Sequence, residues 1–504
     1  MKKKLQTAFL LAGIALATPA GLEAQTYRWY TTTEGEAWKE AKARLQKSTT
    51  RQPVLRVTGT EEGSPFKAWG TCFNELDWDA LNLLDREDQE EVMRNIFSPE
   101  GDLHFTRGRL SMNANDYARD WYSCDEVAGD FQLKYFNIER DKRGIIPLIR
   151  AAQRYNPDLT FWMSPWSPPT WMKINQDYPV LSSRYNRQDP KKDYLLYEAA
   201  GEVDADEVKI AGQRPGKFPR QLAANDYMIQ DPRYLQAYAN MFCRFVELYR
   251  EQGVPIDMVM YQNEAYSYTP YPGCAWTAEG TIRFNRDYLA PTLKARLPEV
   301  KLYLGTFNTN RLDYVQKIVD GLRGCGIEGL GFQWEGRENL VDIRRDYPEL
   351  KLISSESECG NGSMDWAAGE HTFHLLADYV GKGCEEYFIW NFILTDQGES
   401  PWGWKQNALI QVDSHTRQHR YTAEYYAVKH FSNLVSPGSR MLAYKAKEEN
   451  GGTMPVIVFR TPDEKYVVIA GNFSDTAAPL CVELSGRYLE AELPPHSFHT
   501  FVGD

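Results

Sequence analysis

The chain has 504 residues, a formal net charge of −12 and a hydrophobic fraction of 42%. That length suggests a barrel of about 250 to 400 residues joined to a smaller domain, with enough apolar residues for a large core. The negative charge argues against non-specific binding to nucleic acid or to an anionic membrane surface, whereas a neutral or cationic partner is compatible with it.

Residues 1–24 have the pattern of a secretory signal peptide. Three lysines beginning at Lys2 form a basic region, residues 9–17 form an apolar stretch, and cleavage is expected after Ala24, although Leu22 fits the small-residue rule poorly. The apolar stretch is short for a membrane span, so an uncleaved anchor is the weaker alternative. We therefore expect an exported mature protein without a membrane span.

Residues 66–430 alternate strand-like runs with amphipathic helices, which is typical of a (β/α)8 TIM barrel, an α/β fold. One helix is marked by Asp231 at its cap, Pro232 at its first position and Gly253 at its end. The polar segment 175–226 is either a solvated excursion or a wall of a substrate groove. The predicted strands are 67–73, 104–112, 160–164, 257–262, 301–305, 329–333, 351–355 and 386–390.

After Pro437 the apolar pattern changes to a period of two residues, which predicts a small β-sandwich. Residues 455–459 and 466–470 flank a polar turn and are expected to form a hairpin, and 481–484 and 497–502 add strands. The run 54–58 is expected to join the same sheet. The predicted domains are thus an N-terminal segment 25–65 that contributes to the side β-sandwich, a catalytic barrel 66–430 and the sandwich itself, 431–504.

Neither the cysteines nor the histidines form a metal-binding or redox pattern. The eight cysteines are scattered without a C-x-x-C pair, so we expect buried thiols, with one or two disulfides left open. His371 and His374 are three residues apart on a predicted helix, but no carboxylate motif completes a metal site there. We expect no metal and no cofactor.

Two glutamates, Glu264 and Glu356, each follow a short apolar run of strand type. Because the strands of a barrel end at one mouth, these carboxylates can face each other. A pair of carboxylates about 5–5.5 Å apart is the catalytic pair of a retaining glycosidase. This pattern predicts Glu264 as acid/base and Glu356 as nucleophile, with Asn263 donating to the sugar 2-hydroxyl. The charge of Glu356 would help to keep Glu264 protonated. Glu358 can share a strand face with Glu356 and is the alternative nucleophile.

The segments around these glutamates resemble glycoside hydrolase family 30, and the resemblance covers nearly the whole mature chain. It is identified by S-P-W-S-P-P-T-W-M-K at 164–173, Q-N-E at 262–264 with Y-P-G-C at 271–274, S-E-S-E-C at 355–359, W-N at 390–391 and H-F-S at 430–432. The resemblance implies a β/α barrel fused to a side β-sandwich that both ends of the chain build.

The resemblance also implies roles for further residues. Arg109 would support the nucleophile electrostatically, and Asp116 would accept a sugar hydroxyl. Trp166 would form a wall of the subsite for the cleaved sugar, and Trp390 and Trp404 would be platforms for it. Packing is the alternative role for each of these tryptophans.

The chain departs from the family pattern at two positions. Gln333, followed by Trp334, lies at the end of the sixth strand, where relatives often have His or Tyr beside the nucleophile. Ala265 follows Glu264, where relatives commonly have Pro. We expect Gln333 and Trp334 to belong to the substrate site, and we expect Ala265 to change the loop without removing a catalytic atom.

The implied function is that of a secreted retaining β-glycosidase whose partner is a β-linked glucan or oligosaccharide. Among the activities of the family, the resemblance favours a glucan endo-1,6-β-glucosidase. Glucosylceramidase or β-glucosidase, β-xylosidase and β-fucosidase activities share the same catalytic set and stay open. A catalytically silent glycan-binding barrel is a distant alternative, because a pure binder has no need for two opposed carboxylates. The oligomeric state is not predicted.

Overall fold

The computed structural model describes residues 26–57, 64–196, 224–445 and 454–503. The predicted signal peptide lies outside the described residues, and so does the acidic part of the segment 175–226. None of the helices within the described ranges combines the length and the apolar character that crossing a membrane requires.

Strands and helices alternate through the middle of the chain and strands dominate both ends. In chain order, strands β1 to β20 are Thr26–Thr33, Glu36–Gln46, Leu55–Val57, Ala68–Cys72, Arg107–Met112, Thr160–Pro165, Ile256–Met260, Lys301–Phe307, Ile327–Phe332, Lys351–Ser354, Glu386–Ile389, Ile393–Thr395, Ile410–Val412, His419–Tyr421, Arg440–Lys445, Val456–Arg460, Tyr466–Asn472, Ala478–Leu484, Arg487–Leu493 and Ser497–Gly503. Helices α1 to α10 are Glu75–Leu81, Arg86–Phe97, Ile145–Gln153, Pro232–Glu251, Ala278–Phe284, Ala290–Arg296, Leu312–Gly321, Leu340–Asp346, Trp366–Gly381 and Ala423–Ser432.

Strands β4 to β11 form a closed barrel in which every neighbouring pair is parallel. This confirms the predicted fold, and each of the eight predicted strands is present with ends within three residues of the prediction. The largest difference is at β5, which begins at Arg107. The predicted helix after the third barrel strand is α4, where Asp231 caps by accepting from the Arg233 backbone N–H.

Large side chains fill the inside of the barrel, so it is a packed core without a channel. Gly70 and Gly331 make room for them, because a side-chain carbon at Gly70 would meet the Phe388 ring and one at Gly331 would meet the Met260 sulfur. Ligands must therefore bind at the rim of the barrel. The interior side chains are Trp162, Met258, Met260, Tyr303, Ile353 and Phe388.

The side domain is built from both ends of the chain, as predicted. Its nine strands follow the order β15-β16-β17-β20-β1-β2-β19-β18-β3, and the long strand β2 pairs with β1 along most of its length and with β19 at its end. Val458, Val468 and Leu489 meet in one core between the two halves of this sheet. Strands β1, β2, β15 and β19 were not predicted individually, because polar residues interrupt their apolar pattern.

One face of the side domain packs on the barrel through α9 and α10. Alternation along a strand sends Val458 into the sandwich core while its neighbour Phe459 joins the barrel core. Phe498 of β20 stacks on Trp366 of α9, with ring centroids 4.8 Å apart, and lies 5.2 Å from Phe373. Because these strands are buried on both faces, the apolar core of the sandwich and that of the barrel pack against the same strands.

All eight cysteines lie in the described residues as free thiols, and seven of them are buried. This agrees with the expectation that they behave as small apolar side chains.

Candidate active site

The predicted catalytic residues meet at the carboxyl-terminal end of the barrel. Glu356 follows β10, Glu264 follows β7, and Arg109 lies within β5. Glu264 and Glu356 expose only 5% and 6% of their surface. Carboxyl groups withdrawn this far from water need polar partners in the protein.

Arg109 is the residue that connects these partners. Its Nη1 donates to Glu356 Oε2 at 2.5 Å and to the Ser355 carbonyl at 3.2 Å, and its Nη2 donates to Asn263 Oδ1 at 2.6 Å. The planar guanidinium can hold two acceptors in a fixed orientation, which a lysine could not do. Arg109 therefore fixes the predicted nucleophile relative to the residue that precedes the predicted acid/base.

Aromatic rings surround the Arg109 guanidinium and keep it dry. Its central carbon lies 4.5 Å from the Trp166 ring centroid, 4.8 Å from that of Trp162 and 5.7 Å from that of Trp390. Trp166 and Trp390 are buried, with centroids 5.3 Å apart. These indoles attract the cation through their faces, so part of their role is to support Arg109.

Asn263 is held so that its amide nitrogen remains to donate. Its Oδ1 accepts from Arg109, from Thr306 Oγ1 at 3.1 Å and from Gln333 Nε2 at 3.3 Å. Nδ2 is thus the donor that a sugar hydroxyl can use, in keeping with the predicted role. Asn263 reaches the predicted nucleophile through Arg109 and not directly.

Glu264 is fixed both along its backbone and at its carboxyl group. Its φ of 45° lies in the left-handed region, which costs a non-glycine residue of the order of 1–3 kcal/mol, and its N–H donates to Thr306 Oγ1 at 3.0 Å. Gln333 Nε2 donates to Oε1 at 2.9 Å, and the Tyr271 hydroxyl donates to Oε2 at 3.4 Å. Gln333 therefore contacts the predicted acid/base and not the predicted nucleophile.

Burial raises the pKa of both carboxyl groups. For Glu264 the hydrogen bonds from Gln333 and Ser267 oppose the rise. For Glu356 the charge of Arg109 opposes the rise and the charge of Glu264 adds to it. Such a pair holds one proton near neutral pH. We place the negative charge on Glu356, since it is the one that accepts a hydrogen bond from Arg109, and the proton on Glu264.

Asp116 is a third buried carboxyl in the same site. Burial raises its pKa to about 7. Gln406 Nε2 donates to Asp116 Oδ2 at 3.4 Å, and Gln406 Oε1 accepts from Trp390 Nε1 at 2.7 Å. Asp116 is thus linked through Gln406 to Trp390, and its role as acceptor of a sugar hydroxyl stays a prediction.

Glu358, the alternative nucleophile, lies in a different network. Its Oε2 is 2.7 Å from His371 Nε2, and its Oε1 is 4.0 Å from Arg337. Burial raises its pKa, but the bond from His371 and the charge of Arg337 outweigh that effect and lower it. Because Glu358 is engaged by His371 and Arg337, the geometry favours Glu356 as the nucleophile.

Trp334 and Trp404 lie further out, with ring centroids 6.3 Å apart, and both are partly exposed. Sequence reasoning did not assign site roles to Thr306, Tyr271 or Trp402. Tyr271 lies in the Y-P-G-C run and was within reach of that motif, whereas Trp402, two residues before Trp404, lies in no motif. No local pattern marks Thr306, which lies within the barrel strand β8 among other buried residues.

The described part of the segment 175–226 forms a wall beside the Tyr271 loop. Lys173 is fully buried and its ammonium donates to the carbonyls of Tyr178 at 2.6 Å and Gly273 at 2.7 Å. The Val180 N–H donates to the Thr269 carbonyl at 3.0 Å. These bonds join the loops after β6 and β7, in line with the groove-wall alternative for residues 175–196.

Comparison with protein families matches the "Glycosyl hydrolase family 30 TIM-barrel domain" at residues 66–189 and 226–435, and the "Glycosyl hydrolase family 30 beta sandwich domain" at 438–501. The chain belongs to glycosyl hydrolase family 30. It is therefore a glycoside hydrolase by family, and the resemblance found in the sequence is confirmed.

Two similar relatives differ in the activity that their names give. The chain is 24% identical to the lysosomal acid glucosylceramidase of Mus musculus, over 84% of this chain and 78% of the relative. It is 20% identical to the endo-1,6-beta-D-glucanase neg1 of Aspergillus fumigatus, over 89% and 87%. The crystal structure of SrfJ from Salmonella typhimurium has the same fold, with a TM-score of 0.78 and 20% identity over 95% of this chain and 99% of that one.

Proposed function

We propose that this glycoside hydrolase is a retaining β-glycosidase in which Glu356 is the nucleophile and Glu264 is the acid/base. The observation that carries the proposal is the chain of contacts from Glu356 through Arg109 to Asn263, next to Glu264. It fixes two buried carboxyl groups from different strands, one bonded to a cation and one bonded to neutral donors. Each environment suits one of the two roles.

The first step forms a bond from Glu356 to the anomeric carbon. Glu264 gives its proton to the glycosidic oxygen, so that the leaving sugar departs as a neutral alcohol. As Glu356 loses its charge, Arg109 is left without its anionic partner. The pKa of Glu264 then falls, because the burial that raised it is now opposed by an unpaired guanidinium nearby.

The second step restores the enzyme. Glu264, now ionised, takes a proton from a water molecule whose oxygen attacks the anomeric carbon, and the bond to Glu356 breaks with its electrons returning to the carboxylate. Asn263 Nδ2 is the donor for the sugar 2-hydroxyl in both steps, a contact that gains strength as charge develops on the ring. Two displacements retain the β-configuration.

The substrate we propose is β-1,6-linked glucan, cleaved in the manner of an endo-1,6-β-glucosidase. It is supported by the similarity to the Aspergillus endo-1,6-beta-D-glucanase, which extends over most of both chains. Glucosylceramide is the second candidate, supported by relatives named glucosylceramidase at 23–24% identity. β-Xylosidase and β-fucosidase activities share the same catalytic groups.

A product profile on linkage-defined β-glucans tests the substrate. We expect β-1,6-glucan to yield a series of short oligosaccharides and β-1,3- and β-1,4-glucans to yield none. Glucosylceramide, aryl β-xyloside and aryl β-fucoside are the comparison substrates, and faster turnover of any of them would replace the β-1,6-glucan proposal. No turnover of any of these β-glycosides by the wild type would instead support a glycan-binding barrel.

Proton NMR of the first products tests the mechanism. Retention predicts that the β-anomer appears first and that the α-anomer follows by mutarotation. The α-anomer appearing first would mean inversion, which removes the nucleophile role from Glu356.

We also propose that the protein is exported. The basic and apolar regions of residues 1–24 support this proposal. Mass spectrometry of the protein isolated from its source should find Gln25 at the N-terminus, outside the cytoplasm. An N-terminus at residue 1 or 2 in the cytoplasmic fraction would contradict export.

A further inference from the structure

Aromatic side chains line the mouth of the barrel in two layers. Trp166 and Trp390 form a buried inner layer below Arg109, with 2% and 1% of their surface exposed. An outer ring of partly exposed indoles packs on this layer. The members of the outer ring are Trp121, Trp334, Trp402 and Trp404.

Within the outer ring, Trp402 is the indole that packs on Tyr271, the tyrosine bonded to Glu264. Its ring centroid lies 4.5 Å from that of Tyr271 and 5.1 Å from that of Trp404. The Tyr271 hydroxyl in turn donates to Glu264 Oε2 at 3.4 Å. A single side chain, that of Tyr271, therefore separates Trp402 from the proposed proton donor.

The indole N–H of Trp402 is buried and finds no acceptor among the described residues. A buried donor without a partner is unfavourable, and such groups normally have a reason to remain unpaired. A ligand oxygen at this position would remove that cost. The indole thus offers a flat apolar face together with one unused donor.

The loop that carries Trp402 is held in place by a tyrosine of a neighbouring loop and by a hydrogen bond within its own turn. Gly403 has a φ of 86°, and the Tyr185 ring from the loop after β6 occupies the space that a side chain at Gly403 would need. The Ser400 N–H donates to the Trp404 carbonyl at 2.9 Å and closes the turn. Trp402 is therefore presented on a turn supported by its neighbours.

We propose that Trp402, backed by Tyr271, binds the sugar on the leaving-group side of the cleaved bond. The inference rests on the proposed function: the acid must face the leaving oxygen, so side chains next to Glu264 lie beside the departing sugar. Arg109, Trp166 and Trp390 belong with Glu356 and the retained sugar. The subsite accepts a pyranose whose C–H face lies on the indole and whose hydroxyl accepts from Nε1.

A sugar fits this position better than an acyl chain does. An acyl chain would cover Trp402 but would leave the buried N–H unpaired, at the cost that a buried unpaired donor carries. The partly exposed side chains that pack on the inner layer are four indoles and one aliphatic residue, Leu76, so most of this surface consists of flat rings. The subsite therefore selects for a glycan as the leaving group.

The test compares Trp402→Ala on two substrates of the full-length enzyme. A β-1,6-gluco-oligosaccharide fills both sides of the cleaved bond, whereas β-glucosyl fluoride has no leaving sugar. We expect kcat/KM to fall about 10- to 100-fold on the oligosaccharide and to stay within about 2-fold on the fluoride. Trp402→Phe keeps an aromatic face without the N–H and should lose about 3- to 10-fold on the oligosaccharide alone.

Trp38→Ala is the matched control. It also removes an indole stacked on a tyrosine, Tyr30, at 4.8 Å, but in the side domain. We expect it to lower thermal stability and to leave the ratio of the two kcat/KM values at its wild-type value.

Equal losses on both substrates in Trp402→Ala would overturn the proposal, since Trp402 would then act by positioning Glu264. Octyl β-glucoside, whose leaving group is an alkyl chain, serves as a third substrate. A loss in Trp402→Ala that is confined to this glucoside, with the oligosaccharide unaffected, would overturn the sugar assignment in favour of an acyl chain. Wild-type enzyme inactive on both substrates would contradict the proposed function itself, which separates the two failures.

Discussion

The barrel carries one buried ionic cluster at each end, and both are built on β5. Arg107 and Arg109 are two residues apart on this strand, so their side chains point to the same side, towards the interior. Arg107 donates to both oxygens of Asp257 at 2.9 Å and lies 2.9 Å from Glu386. Arg109 donates to Glu356 and to the amide oxygen of Asn263.

The two clusters differ in their balance of charge. Near the amino end, Arg107 is joined by Lys67, which pairs with Glu385, so cations stand close to most of the carboxylates. At the carboxyl end, the single guanidinium of Arg109 faces Glu264, Glu356 and Asp116, and burial raises the pKa of all three, as it does that of Glu386 at the amino end. A balanced cluster holds strands together, whereas an excess of buried carboxyl groups keeps a proton available for transfer.

The largest effect is expected from Glu356→Gln, which keeps the shape of the side chain and removes its charge. Without the attacking carboxylate, kcat should fall by about 10⁴-fold or more. Glu386→Gln makes the same chemical change in the amino-end cluster and should lower the melting temperature while leaving kcat within about 3-fold. Similar losses of kcat in the two variants would remove the distinction between the clusters.

Glu264→Ala should have the next largest effect. We expect a loss of about 10²- to 10⁴-fold on a substrate with a poor leaving group, because protonation of the leaving oxygen is lost. Added azide can occupy the space of the missing carboxyl and should yield the β-glycosyl azide.

Glu358→Ala serves as the control for that experiment. Since Glu358 is bonded to His371, its removal should give no glycosyl azide. Azide rescue of Glu358→Ala, together with a failure to rescue Glu264→Ala, would mean that the acid/base assignment is wrong.

A smaller effect is expected for Arg109→Lys, about 10²-fold in kcat, because the bidentate fork is lost while a charge remains. Arg109 lowers the pKa of Glu356, so weakening this contact raises that pKa. Glu356 must be ionised to attack, and the acidic limb of the kcat/KM profile should therefore move to higher pH. Arg107→Lys should lower stability without moving this limb, and a shift in both variants would contradict the division of roles.

The smallest effect is expected for Gln333→Leu, about 3- to 10-fold in kcat/KM. Its amide donates to Glu264 and lowers the pKa of that carboxyl, so the substitution raises the pKa. Glu264 must be protonated for the first step, and the alkaline limb should move to higher pH. A pH–rate profile measures this shift, with Gln89→Leu on α2 as the control outside the site. An alkaline limb that moves to lower pH would show that Gln333 acts through another group.

Much of the fold follows from local patterns along the chain. The eight barrel strands are visible as apolar runs because parallel strands are buried on both faces. Helix α4 is also visible from local residues, because Asp231 is a helix cap and the proline after it suits the first helical position. Strands β1, β2 and β19 escaped prediction, since they border solvent and polar residues separate their apolar ones.

The sequence predicted the charged residues of the candidate site and their positions on or after barrel strands. Glu264, Glu356, Arg109 and Asn263 follow or lie on barrel strands, and strand ends of a barrel must converge. Trp402 was missed because an indole on a turn has no local feature that distinguishes binding from packing.

The amino-acid sequence alone determined the class of fold and the chemical groups, because residue type, strand period and strand order are properties of the chain. Only the tertiary structure decided which groups touch. It placed Gln333 on Glu264, gave Glu358 its own histidine, and brought Trp402 from the loop after β12 onto Tyr271 from the loop after β7. These contacts depend on loop paths and on side-chain packing between distant segments, which no local pattern encodes.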